Sequence, residues 1–146
     1  QFKATFDMYR IRGVKVKFVP KWNGQLLQNT TSGLLIPELW TCIDLDDATP
    51  INEASMIEHW GLRRGRFTRE YSRFIKPRYA SMIYNTPTST AYGLGNRSTF
   101  LNCDDDNIEH YALKWIITPA TTNITDDTLL YFDVYIKYYI EFKGKI

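Results

Sequence analysis

From Leu130 to Phe142 every second residue is apolar: Leu130, Phe132, Val134, Ile136, Tyr138, Ile140 and Phe142. The alternate positions read Leu129, Tyr131, Asp133, Tyr135, Lys137, Tyr139 and Glu141. Period two held over such a run predicts a single long strand with one core face and one outward face. At about 3.3 Å per residue it would extend more than about 40 Å, well beyond an ordinary strand. The outward face carries Tyr131, Tyr135 and Tyr139. Tyrosine combines an apolar ring with a polar tip and is enriched where proteins meet, so these three are the candidate subunit-interface residues.

Shorter runs repeat the pattern. Tyr111, Leu113, Trp115 and Ile117 alternate with Ala112, Lys114, Ile116 and Thr118, and Pro119 ends the run. Leu39, Thr41, Ile43 and Leu45 share a face ahead of Asp46 and Asp47. Phe67, Arg69, Tyr71, Arg73 and Ile75 share another, ending near Pro77. In the segment from Phe6 to Phe18 the apolar phase changes, from Tyr9 and Ile11 to Val14, Val16 and Phe18. A shift of one position at Gly13 is what a β-bulge produces. Between Ile51 and Gly61, Ile51, Ala54, Ile57 and Trp60 have the spacing of a short helix. The stretches from Pro20 to Pro37 and from Thr86 to Asp106 read as long loops. Long strands, long loops and almost no helix predict an all-β chain: two antiparallel sheets packed as a sandwich or jelly roll.

Composition narrows this to one domain over residues 1–146, rich in the ring-bearing residues that fill half-buried pleated surfaces. No apolar run is long enough to span a bilayer, and no membrane insertion is expected. The formal net charge is only +2, but it is unevenly placed. Arg63, Arg64, Arg66, Arg69, Arg73, Lys76 and Arg78 face a single Glu70. Lys3, Arg10, Arg12, Lys15, Lys17 and Lys21 likewise oppose only Asp7. Guanidinium groups bond phosphates and stack on bases, and neighbouring rings offer stacking platforms. Arg63, Arg64, Arg66, Arg69 and Arg73 are therefore the candidate nucleic-acid contacts. The same arginines would equally suit a subunit interface.

Catalytic chemistry finds no support. His59 and His110 have no zinc-ligand spacing with Cys42 and Cys103, and no nucleophile elbow or phosphate loop is present. No catalytic residue, metal or cofactor is expected. Asp44, Asp46 and Asp47, the run Asp104 to Asp106, and the pair Asp126 and Asp127 fit turns better than a calcium site. A secreted or surface β-sandwich binding module, lectin-like or cytokine-like, remains the alternative. It draws on a possible Cys42–Cys103 bridge, three Asn-X-Ser/Thr sites at Asn29, Asn96 and Asn123, and the aromatic loop residues Trp22, Trp40 and Trp60.

The stretch from Phe6 to Pro20, with Tyr9-Arg10-Ile11-Arg12 followed by Val14-Lys15-Val16, Phe18 and Pro20, closely resembles a strand of circovirus capsid proteins. The later order is also similar: the Leu45-Asp46-Asp47 turn, the basic run to Ser72-Arg73-Phe74-Ile75-Lys76-Pro77, the Trp115 strand, and the aromatic strand from Tyr131 to Phe142. Gly13 departs from the pattern, standing where a larger residue is common. The resemblance implies a viral jelly roll of about eight strands that assembles in about sixty copies around a circular single-stranded DNA genome. It further implies residence in the virion, passage through the host nucleus, and a host receptor or sulfated glycan as partner. An arginine-rich N-terminal arm and a first strand, usual in such proteins, have no counterpart before Phe6.

Overall fold

The structure, a computed structural model, describes residues 4–21, 37–45, 49–86, 89–105, 107–118 and 131–144. Among the described residues the strands are β1 (Met8–Pro20), β2 (Glu38–Ile43), β3 (Arg63–Arg66), β4 (Tyr71–Ile75), β5 (Arg78–Thr86), β6 (Ser89–Leu94), β7 (Leu101–Asn102), β8 (His110–Tyr111), β9 (Leu113–Thr118) and β10 (Phe132–Lys143). One short helix, α1 (Glu53–Glu58), lies between β2 and β3. Asn52 caps it, its Oδ1 accepting from the Ser55 amide at 2.8 Å.

All strand pairs are antiparallel. The first sheet runs β10-β1-β4, with β7 also paired to β1. The second runs β3-β2-β9, and a smaller third runs β6-β5-β8. The phase change in β1 is a bulge: Ile11 pairs with Ile140 and Gly13 with Tyr139, leaving Arg12 as the inserted residue.

The first two sheets close over Val14, Val16 and Phe18 of β1, Leu39 of β2, Phe67 and Ile75. Phe18 meets Trp115 edge-on at 5.4 Å between centroids, and Trp115 meets Phe132 at 5.7 Å. Full burial of a side chain such as Phe18 stabilises by about 1.5–3 kcal/mol. The other face of β2 is covered too. Trp40 and Cys42 pack with Met56 of α1, against Ile51, Leu62 and Ile116. Arg73 ties β4 to β2 through the core, and Asp44 is held by Lys114 at 2.7 Å with both side chains largely out of water.

The apolar row of β10 pairs across to the core row of β1, with Val134 opposite Phe18, Ile136 opposite Val16 and Tyr138 opposite Val14. Yet β10 is the last strand of its sheet, and no described element lies over its middle. Ile136 stays 52% exposed, alongside Val134, Tyr138 and Ile140. The segment from Phe67 to Ile75 is not one strand. Phe67 to Glu70 link β3 to β4, and Tyr71, Arg73 and Ile75 point into the core rather than outward. The supposed loop from Thr86 to Asp106 contains β6 and β7. Its Ser/Thr-rich hairpin lacks the large alternating residues that reveal a strand. On α1, Met56 is buried while Ile57 is exposed, and Trp60, just beyond the helix, is 84% exposed, so the apolar spacing named the wrong face. Cys42 and Cys103 are free thiols, Cys42 buried, so the bridge considered above is not formed. Asp44 is a core ion-pair member rather than a turn residue. Asp46, Asp47, Asp106, Asp126 and Asp127, with Trp22, Asn29 and Asn123, lie outside the described residues.

Candidate nucleic-acid interface

Arg63, Arg64 and Arg66 are exposed on β3, an edge strand. Cross-strand pairing sets Arg64 beside Trp40 and Arg66 beside Glu38. The Arg64 guanidinium carbon lies 5.3 Å from the Trp40 ring centroid, so its plane is held over an aromatic face. Arg69 is exposed in the following link. With Arg64 and Arg66 it rims a groove of about 470 Å³ that also includes Phe67, Glu70 and Tyr71. Glu70 is engaged by Lys17 at 2.6 Å. Arg64, Arg66 and Arg69 form one basic rim, and Arg63 is exposed at the start of the same strand.

Arg73 does not belong to it. Only 6% exposed, it donates from Nη1 to the Thr41 carbonyl and to Thr41 Oγ1, each at 2.8 Å, and from Nη2 to the Gly61 carbonyl at 2.6 Å. Burial lowers its pKa from the ordinary arginine value. All three of these acceptors are neutral oxygens. A guanidinium so occupied inside the core is not available to a phosphate, and the reason is parity: Arg73 falls on the same side of β4 as Ile75.

Tyr131 is exposed just before β10. Tyr135 and Tyr139 stand on the outer face of β10, and the Tyr135 hydroxyl donates to Asp133 Oδ2 at 3.0 Å. Asp133 in turn holds Lys21 at 2.6 Å, and these hydrogen bonds keep its carboxyl below the usual carboxylate range, Lys21 first. Tyr139 meets Phe74 edge-on at 5.7 Å, with Lys137 Nζ at 5.2 Å from its ring. The three tyrosines therefore do not form one patch of common surroundings.

Sequence reasoning missed the basic outer face of the first sheet. Because the bulge shifts the phase, Arg10 before it and Lys15 and Lys17 after it project to the same side. Arg10 and the inserted Arg12 both grip Glu141, at 2.6 and 2.5 Å. Their hydrogen bonds, Arg12 first, hold the Glu141 carboxyl below its ordinary pKa. Phe74, Lys137 and Tyr139 join this face. The signal was present in the cation count of the first 21 residues, but only the bulge aligned them. Among the described residues no group of three His, Cys, Asp or Glu side chains could hold a metal ion.

Two antiparallel sheets closed over one apolar core, with basic and tyrosine-bearing faces left open, define a jelly roll of the shell-forming kind. The chain belongs to the circovirus capsid protein family, which matches residues 1–146. Its fold is similar to the crystal structure of the 60-mer BFDV capsid protein, with a TM-score of 0.63 at 16% identity over 94% of this chain and 69% of that one. It is also similar to the X-ray structure of Melon necrotic spot virus, with a TM-score of 0.53 at 16% identity over 99% of this chain and 36% of that one. No curated protein matches it. The protein is thus a structural capsid protein, a component of the virion.

Proposed function

We propose that this protein assembles in about sixty copies into a closed icosahedral shell around a circular single-stranded DNA genome. The observation that carries the reading is the likeness, over nearly the whole chain, to a capsid protein solved as a 60-mer. The uncovered rows fit it: Tyr131, Tyr135 and Tyr139 supply interface chemistry, with Tyr139 also bordering the cations of the first sheet. The chemistry is assembly alone, with no catalytic step. Arg63, Arg64, Arg66 and Arg69 neutralise phosphates of the packaged strand and release counterions.

Among the described residues β10 ends its sheet, and its exposed Val134, Ile136, Tyr138 and Ile140 suit cover by a further strand or a neighbouring subunit. Light scattering and negative-stain imaging of the purified full-length protein test the reading. Closed spheres of megadalton mass are expected; a stable lone protomer at high concentration overturns it.

A further inference from the structure

A second basic site lies on the outer face of the first sheet, away from β3. It is a cleft of about 600 Å³ lined by Ile11, Arg12, Phe74, Lys76, Arg97 and Tyr139, together with Pro77. That volume falls within the roughly 300–1,000 Å³ range of small-ligand sites. Three cations and two rings line it, with no carboxylate among them.

Each part is held in place by its own structural cause. Phe74 is 52% exposed, and the tip of its ring rests on Gly13, where any Cβ would overlap it. The unusual glycine of β1 is thus what lets the ring lie against the strand beside Tyr139. Lys76 is exposed between the buried Ile75 and Pro77, so its backbone is anchored while its ammonium is not. Arg97 sits in a turn that Asn96 organises, its Oδ1 accepting from the Ser98 amide at 3.0 Å and from Ser98 Oγ at 2.8 Å. Arg10 pins that turn to β1 by donating to the Ser98 carbonyl at 2.8 Å. Arg12 is oriented by Glu141.

We propose that this cleft binds one nucleotide unit of a single-stranded nucleic acid, its phosphate among Arg12, Lys76 and Arg97 and its base against Phe74 and Tyr139. Exposed rings beside Lys76, Arg97 and the Glu141-paired Arg12 suit a ligand that is both flat and anionic. A protein carboxylate would use the cations and leave the rings idle. The inference rests on the proposal that the shell encloses single-stranded DNA, and it adds where one nucleotide is held. Binding is independent of sequence, because every base has a face to stack.

The test is photo-crosslinking of the full-length protein to thymidine oligomers carrying 5-iodouracil, with cross-linked peptides identified by mass spectrometry. Cross-links are expected at Phe74 or Tyr139. The double variant Lys76→Ala, Arg97→Ala should lower that yield about tenfold and reduce the log–log salt slope of binding by about 1.4. Phe74→Leu should weaken cross-linking at Tyr139 while leaving capture of an abasic oligomer of equal length unchanged. If Phe74→Leu weakens both oligomers equally, recognition is of phosphate alone and the nucleotide assignment falls. Oligomers bound by wild type and variants alike, with cross-links only outside this cleft, overturn the cleft but leave the shell reading standing. Failure of the full-length protein to bind any oligomer overturns the nucleic-acid reading as well.

Discussion

Arg73 binds the two sheets of the sandwich together by donating from a single nitrogen to both the carbonyl and the hydroxyl of Thr41. The Tyr71 hydroxyl lies 3.3 Å from the same Thr41 Oγ1, so three side chains from two sheets share one polar node inside the core. Removing the guanidinium strands the Thr41 and Gly61 carbonyls. Arg73→Met should therefore destabilise by about 2–4 kcal/mol. For a chain of this size that is a fall in Tm of roughly 5–15 °C, readable by scanning calorimetry. An unchanged Tm would mean that the node contributes nothing.

Gly13 and Phe74 should be coupled. Alanine at position 13 relieves the conformational cost of glycine in a strand, about 0.5–1 kcal/mol, but evicts the Phe74 ring from its seat. In the parent the two effects nearly cancel, and Gly13→Ala should leave Tm almost unmoved. In a Phe74→Ala background only the gain remains, so Gly13→Ala should then stabilise. A double-mutant cycle is expected to give a coupling of about 0.5–1.5 kcal/mol, and strict additivity would deny the contact.

Asp44 and Lys114 form an ion pair whose carboxylate is 3% exposed. Breaking it from one side leaves a charge in the core. Lys114→Met should cost about 3 kcal/mol, more than the reverse loss of any exposed pair such as Lys17 with Glu70. His59 lies 3.9 Å from Asp44 and is too far to replace the lysine. Thermal melting of Lys114→Met against Lys17→Met provides the comparison; equal effects would contradict the burial argument.

Stability should fall on acidification in two windows. Burial holds the His110 imidazole below its ordinary pKa, although its ring nitrogen lies 3.0 Å from the Ile108 carbonyl. The unfolded chain then takes up the proton first. The contribution is whole above about pH 6.5 and is lost as the pH falls toward the folded value. Glu141, held low by Arg12 and Arg10, contributes fully above about pH 4.3 and loses its contribution as pH falls through its folded value. Tm measured against pH should show Glu141→Gln converging on wild type below its window, where both side chains are neutral, and His110→Gln lacking the fall in Tm that wild type shows below about pH 6.5. Parallel curves throughout would reject both assignments.

Particles in which Arg63, Arg64, Arg66 and Arg69 are all changed to Ala should assemble yet carry less nucleic acid, judged by the absorbance ratio at 260 and 280 nm. Arg73→Lys, tested alone, should alter stability and leave loading intact, because its donors are spent inside the core. Unchanged loading in the fourfold variant would remove β3 from the nucleic-acid surface.

The sequence by itself determined the strand class, the bulge at Gly13, the Leu39 and Trp115 strands and the family motif of β1. Each is a local or period-two feature, and local sterics with burial of one face dictate them. Tertiary structure alone decided which side of β4 faces the core, and so turned Arg73 from a surface cation into a tie between sheets. It also decided that, among the described residues, β10 stands at a sheet edge with its apolar row uncovered, that Cys42 and Cys103 stay apart, and that Arg12, Lys76 and Arg97 converge. Those outcomes depend on which strands become neighbours, and a pattern with period two records only that a face is buried, never what lies across from it.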